Sequence, residues 1–282
     1  MDCFFYVIRY NIQGRRGGFM KLSVLGSGSK GNTTYIELEN TKVLIDSGLS
    51  FRQTNKRLED INLNLDSLDG VLITHEHSDH IAGLNVLLKK VPTTCFLTEE
   101  TFLSFHYKQS ENIQESQLHF IEPHQEFMIG NIKIYPISVS HDSSDAVGYI
   151  LYGEGKKIVY ITDTGYLPKK DHDILRNADA YIFESNYDVT LLFTSNRPFY
   201  LKQRIDGVKG HMSNTDSAYN LSQIVGDKTK HIILAHPSRE CNTPKHASDT
   251  LKEVFSDYGL TVSDYNIMVA SQDIPTTVIE ED

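Results

Sequence analysis

The apolar positions of this chain come in short runs separated by glycine and polar turns, a pattern of strands more than of long helices. From residue 20 the runs are regular. Residues 22–25, 34–38 and 42–45 read as strands, the first two joined through the glycine-rich G-S-G-S-K-G-N of residues 26–32. Further strands are expected at 71–73, 93–97, 118–121, 133–138, 157–161, 180–183 and 231–235. Helical spacing appears at 51–61 and at 81–90, where Leu84, Leu87 and Leu88 form the core stripe, and again from Asn214 onward with Ser213 as N-cap. The glycine loop opens onto a strand and not onto a helix N-terminus, which excludes a P-loop or a dinucleotide fingerprint. It is expected to line a site instead.

At 282 residues and 39% hydrophobic content the chain can bury a large core. It shows no internal repeat and no long linker, so residues 20–282 are expected to form one domain. Residues 1–19 do not join that pattern. Their short apolar stretch lacks the basic leader and the cleavage pattern of a signal peptide, and Met20 is the expected natural start, with an extension before it. No apolar run approaches the roughly 18–20 residues of a membrane span. Cys3, Cys95 and Cys241 are odd in number and unpaired in spacing, which favours a reducing compartment, the cytoplasm. The net charge of −10 excludes a wide basic surface, so any grip on nucleic acid must be local.

The densest chemistry lies in residues 74–83, T-H-E-H-S-D-H-I-A-G, directly after the apolar Val71, Leu72 and Ile73. Chain leaving a strand end is extended, so residues two apart point the same way and His75 and His77 project together. Past the turn at Ser78, Asp79 and His80 diverge and suit a second centre. Imidazole and carboxylate ligate zinc, manganese and iron, and metal pairs about 3.5–4 Å apart are a recurrent hydrolytic device. Taken alone, the segment could also be a solvated histidine-rich loop. His106, His119, His124, His172 and His231 stand apart and read as surface or satisfied histidines.

This H-x-H-x-D-H pattern resembles that of the metallo-β-lactamase superfamily. The resemblance implies an α/β fold of four layers, αββα, with a metal site at one edge. It demands three more ligands at strand ends, in order. His141 follows the alternating Ile132, Ile134 and Ile137 in S-V-S-H-D, Asp163 ends a strand in T-D-T-G, and His236 follows the strand at 231–235. The implied set is His75, His77 and His141 on one metal and Asp79, His80 and His236 on the other, with Asp163 shared. Asp46, in the I-D-S-G turn, would orient the metal loop by hydrogen bonds without ligating. Two divalent cations, whether zinc, manganese or iron, with two carboxylates and a bridging hydroxide leave about one net positive charge, which makes hydroxide at neutral pH and welcomes an anionic oxygen.

Two later segments bear on the substrate. E-S-N-Y-D (residues 184–188) ends a buried strand, and R-I-D-G-V-K-G-H-M-S-N (residues 204–214) leads into a helix, placing His211 beside its N-terminus. Between them Arg197, Lys202, Arg204 and Lys209 interleave with Phe193, Phe199 and Tyr200. Cations for phosphates and rings for unstacked bases suit a nuclease groove, although an ordinary solvated helix would read the same. Together with G-S-G-S-K-G-N and H-P-S-R-E-C-N (residues 236–242), these motifs resemble the YycJ/WalJ group of the superfamily over nearly all of residues 20–269. The group differs in commonly having His at the position of Tyr187 and Leu at that of Pro237. The resemblance implies a 5′ to 3′ exonuclease acting on DNA more than on RNA. Asp79 and His211 are then the catalytic candidates, His211 as general acid or phosphate clamp, and Ser29, Asn32, Asn186, Arg204, Lys209, Ser213 and Asn214 are the expected substrate contacts. The same metals could instead serve an ester, thioester or lactone hydrolase, or a metal-binding scaffold without turnover.

Overall fold

A computed structural model describes residues 19–153 and 155–281, so the expected extension, up to residue 18, lies outside it. Fourteen strands form two sheets among these residues. The first has the order β14-β1-β2-β3-β4-β5-β6 and the second β13-β12-β11-β10-β9-β8-β7. In chain order they are β1 (Met20–Gly26), β2 (Thr33–Leu38), β3 (Thr41–Ile45), β4 (Gly70–Leu72), β5 (Thr94–Leu97), β6 (Leu118–Phe120) and β7 (Phe127–Ile129). There follow β8 (Ile132–Ser138), β9 (Val147–Gly153), β10 (Lys156–Ile161), β11 (Ala180–Glu184), β12 (His231–Ala235), β13 (Asn266–Val269) and β14 (Ile279–Glu281).

The period of two along each strand builds the layers. Leu22, Val24, Ile36, Val43 and Ile45 meet Ile134, Tyr149, Ile158, Tyr160 and Ile182 between the sheets. Their neighbours Leu25, Tyr35, Leu44 and Val71 turn outward under Leu58, Leu84, Leu87 and Leu88 of the helices Phe51–Glu59 and Leu84–Lys90. On the opposite outer face Val159, Tyr181, Phe183, Ile232 and Leu234 pack under Leu221 and Ile224 of the helix Asn214–Ile224 and under Leu251 and Phe255 of Pro244–Asp257. This is the expected αββα sandwich. β10, β11 and β12 run parallel, β8 and β10 each pair antiparallel with β9, and β3 and β4 are parallel. The C-terminal ends of β8, β10, β11 and β12 therefore open on one edge.

The helix expected over 81–90 is broken. Ser78–Ile81 makes one turn and Leu84–Lys90 follows separately, because Gly83 passes so close to the I-D-S-G turn that its N–H donates to the Ser47 carbonyl at 2.7 Å. The helix expected over 51–61 ends at Glu59. No helix among the described residues is long and apolar enough to cross a membrane.

Candidate metal centre

Most side chains of the centre leave strand ends, and Asp79 and His80 stand on the helical turn Ser78–Ile81 that follows β4. Asp46, just past β3, is fully buried. Its Oδ1 accepts from the Thr74 N–H at 2.9 Å and the Thr74 hydroxyl at 3.0 Å, and its Oδ2 lies 2.7 Å from His80 Nδ1. A carboxylate on Nδ1 fixes that nitrogen as the protonated one, which turns the His80 Nε2 lone pair inward. His141, past β8, donates from Nδ1 to the Gly210 carbonyl at 3.1 Å with the same consequence. His75 and His77 lie with ring centroids 4.6 Å apart, as their spacing predicts, and His77 Nδ1 is 3.3 Å from His141 Nε2.

Candidate ligand atoms of His75, His77 and His141 lie within 4.8 Å of one another, as do those of Asp79, His80 and His236, and those of His75, His80 and Asp163. Asp163 Oδ2 is 3.3 Å from His80 Nε2, and Asp163 Oδ1 is 3.2 Å from His236 Nδ1. His75 Nε2, Asp163 Oδ2 and His236 Nε2 are buried without a hydrogen-bond partner among the described residues. Buried polar atoms are seldom left unpaired. Three of them among seven nitrogen and oxygen ligands, divided between two clusters, fit divalent metal ions, which would satisfy all three.

Electrostatics agree with that donor set. Burial would lift Asp163, but His236, His80, His75 and His141 hold its carboxyl well below the usual range. Burial would also lift Asp79, yet the neighbouring His236, whose Nε2 lies 3.8 Å from its Oδ2, and the His80 charge bring it to about 2. Both are carboxylates at neutral pH. Burial, with the neighbouring His80, pushes His75 well below its ordinary value, and burial lowers His141 too, leaving both imidazoles neutral as ligation requires. His80 runs the other way. Burial would lower it, but Asp46 and Asp163 raise it to about 9, so a metal arriving there must displace a proton.

Sequence reasoning quoted Glu184 but gave it no role. It ends β11, fully buried, and its Oε1 faces His211 Nδ1 at 2.8 Å and His236 Nδ1 at 3.1 Å, while Oε2 accepts from the Thr164 N–H at 2.7 Å. Burial would raise its carboxyl, but the His211 charge and hydrogen bond keep it low. His211, 23% exposed at its side chain, lies with its ring centroid 5.3 Å from that of His141 and 5.1 Å from that of His236. It therefore borders the centre, with Nδ1 on Glu184 and Nε2 left over.

The expected substrate contacts divide. Ser29 is exposed and lines a cavity of about 110 Å³ with Asn186, Arg197, His211, His236 and Ser238. Asn186 is mostly buried and donates to the His236 carbonyl at 2.7 Å. Arg204 and Lys209 are exposed, but Arg204 is paired with Asp142. Three residues are corrections. Asn32 is buried, accepting from the Gly28 N–H and donating to Asp79. Ser213 is spent as the N-cap, accepting from the Asp216 N–H, and Asn214 is buried between Ser185 and Asn242. All three brace the site from inside. Lys202, read as a phosphate cation, is likewise buried and donates to the Phe193 and Ser195 carbonyls. Tyr187 is buried and donates to Asp206 at 2.6 Å, with burial and that carboxylate raising its phenol, so it supplies no proton to the centre.

Two stacked mixed sheets, helices on both outer faces and a histidine–aspartate cluster at one edge define a metallo-β-lactamase type of protein. The chain belongs to the Beta-lactamase superfamily domain family, which matches residues 41–236. It is similar to the exodeoxyribonuclease YycJ of Bacillus anthracis, with 34% identity over 92% of this chain and 98% of that one. It is similar also to the exodeoxyribonuclease WalJ of Streptococcus pneumoniae serotype 2, with 37% identity over 92% and 97%. Among solved structures, the metallo-β-lactamase fold protein YhfI from Bacillus subtilis superposes with a TM-score of 0.69 at 17% identity, covering 93% of this chain and all of that one. Zn(2+)-bound PqqB from Methylobacterium extorquens superposes at 0.67 and 14% identity, covering 91% and 99%.

Proposed function

We propose that the chain is a metal-dependent exodeoxyribonuclease that removes nucleotides in the 5′ to 3′ direction, holding two divalent ions of zinc, manganese or iron. The carrying observation is the Glu184–His211 pair standing beside a ligand set with three unsatisfied buried atoms. The relatives named exodeoxyribonuclease, which this chain matches almost end to end, supply the substrate class. His75, His77 and His141 would hold one ion and Asp79, His80 and His236 the other, with Asp163 between them. Bound there, the ions would lower the pKa of water to near neutrality and neutralise charge on the phosphoryl oxygens.

The remaining steps belong to the protein. Glu184 accepts the Nδ1 proton of His211, orients the ring and stabilises the imidazolium, so that His211 delivers a proton from Nε2 to the departing oxygen. Asp46 holds His80 through Nδ1 and ties it to the Thr74 backbone, which keeps the motif in register with β3. The reading places the enzyme in the cytoplasm, in keeping with Cys95 and Cys241 as free, buried thiols.

The test is a purified sample loaded with Mn²⁺ or Zn²⁺ and offered 5′-labelled DNA in duplex and in single-stranded form, single-stranded RNA, a bis-nitrophenyl phosphate and a thioester. Release of labelled mononucleotides is expected; turnover of the thioester alone would replace the nuclease with an acyl hydrolase. His211→Ala should lower kcat about 10²–10⁴-fold with bound metal unchanged, and loss of metal would reassign His211 as a ligand.

A further inference from the structure

Two sets of openings lead from the centre. The cavities of about 180 and 110 Å³ that His211 lines are flanked by Arg197 and Arg204. Both guanidinium groups are already matched, Arg197 with Glu240 at 2.9 Å and Arg204 with Asp142 at 2.5 Å. On the other side a cleft of about 420 Å³ is lined by His141, Ser140, Ser144, Tyr166, Lys170 and Lys209. Lys170 and Lys209 are exposed. Among the described residues neither side chain has an ion pair or hydrogen bond, and the same is true of the Lys169 side chain. Asp145 and Asp171 also border the cleft, so its positive charge is confined to the lysine rim. Tyr166, 52% exposed, is shared with a neighbouring cavity of about 220 Å³ whose lining includes Lys169, Asp216 and Tyr219.

In a chain of net charge −10, unmatched lysines beside a half-exposed ring at the mouth of the metal site form a local surface for binding a polyanion. We propose that this cleft carries a single-stranded polynucleotide on the His141 side of the scissile phosphate, with Lys170 and Lys209 on its phosphates and one unpaired base against Tyr166. The inference rests on the nuclease reading and adds the form of the substrate and its path. Lysine contacts to phosphate hold the backbone without reading sequence, and a ring face accepts any base. A base in the cavity between Tyr166 and Tyr219 has the Asp216 carboxylate at hand for an exocyclic amino group, which in a duplex is already engaged in base pairing. His211 lies on the other side, at the departing oxygen. When the P–O3′ bond breaks, water supplies the new oxygen on phosphorus, O3′ takes the proton from His211 and leaves with the terminal nucleotide. The strand on the lysine side keeps the phosphate as its new 5′ end and stays bound.

The experiment uses the metal-loaded full chain and single-stranded DNA oligonucleotides with a phosphorothioate at the first linkage to slow cleavage and 2-aminopurine placed at successive positions. Against the parent, the double variant Lys170→Ala, Lys209→Ala should flatten the slope of log affinity on log salt by about 1.4, at roughly 0.7 per contact. Its kcat/KM on an oligonucleotide should fall about tenfold relative to its own value on bis-nitrophenyl phosphate. Tyr166→Ala should weaken binding about 5- to 150-fold and abolish the fluorescence quench at one position, while Tyr166→Phe keeps both. An unchanged slope and quench in variants of a parent that binds and trims the oligonucleotide would overturn the inference and leave the nuclease reading standing. Equal lysine and tyrosine effects on a blunt, non-fraying hairpin would overturn the single-stranded part. A parent that holds two metals yet neither binds nor cuts any oligonucleotide would overturn both.

Discussion

Three of the side chains that meet at the centre stand on left-handed backbone: Asp46 with φ 60°, Asp163 with φ 54° and His236 with φ 56°. Each follows the end of a strand, where the turn swings the side chain from the sheet towards the shared edge. In that region Cβ crowds the next carbonyl, at about 1–2 kcal/mol per residue, and such strain collects where geometry is dictated by function. In metal-free protein His236→Gly should therefore be more stable than His236→Ala by about 1 kcal/mol, read as a later urea midpoint. Equal midpoints would mean that the turn is relaxed. The sequence made these positions visible because an apolar run that stops at a polar residue marks a strand end. It could not show the left-handed turns, nor Glu184, whose partners His211 and His236 lie 27 and 52 residues further on. A lone carboxylate after a buried strand carries no spacing signal.

Between elements, the motif is held by a clamp of turns. The Asn32 N–H donates to the Asp79 carbonyl at 2.7 Å, the Gly48 N–H to the Asn32 carbonyl at 2.8 Å, and the Ser47 N–H to the His80 carbonyl at 2.8 Å. The glycine loop after β1 and the I-D-S-G turn after β3 thus grip the Asp79–His80 turn from two sides. A Cβ on Gly48 would stand 1.7 Å from the Asp79 carbonyl oxygen. Gly48→Ala should lower stability by about 2–3 kcal/mol through this overpacking and weaken metal binding at Asp79 and His80 more than at His75, His77 and His141. A variant that unfolds at the parental midpoint with full metal content would refute the clamp. The glycine loop was expected near the site, and its task is closer than substrate contact. Part of the cation pattern is spent inside the fold for a related reason. Arg197 meets Glu240 and Arg204 meets Asp142 across 43 and 62 residues, so neutralisation is a property of the packed elements and not of the stretch that carries the arginines.

For the whole molecule, the ligands come from both sheets: His75, His77, Asp79 and His80 follow β4, whereas His141, Asp163 and His236 follow β8, β10 and β12. Metal geometry therefore depends on how the sheets sit on each other. Near the site they are tied by the Tyr149 hydroxyl donating to the Ile73 carbonyl at 2.5 Å and by the Val147 N–H donating to the Thr74 carbonyl at 3.0 Å. Elsewhere they are tied by β14, which pairs with β1 in the first sheet while Glu281 takes Lys156 at 2.6 Å, Lys230 at 3.1 Å and His231 at 3.0 Å from the second. Burial would raise the Glu281 carboxyl, but the hydrogen bonds from Lys156, His231 and Lys230 hold it at about 2 against an ordinary 4.5. A depressed carboxyl stabilises the fold above its unfolded value and loses that contribution as pH falls through the folded one. Glu281→Gln should thus lower Tm by roughly 2–4 °C at pH 6–7, as about 1 kcal/mol does in a chain of this size. That difference should shrink between pH 4.5 and 2 until parent and variant melt together, and a gap independent of pH over that range would show that the carboxylate charge does not hold the second sheet to β14.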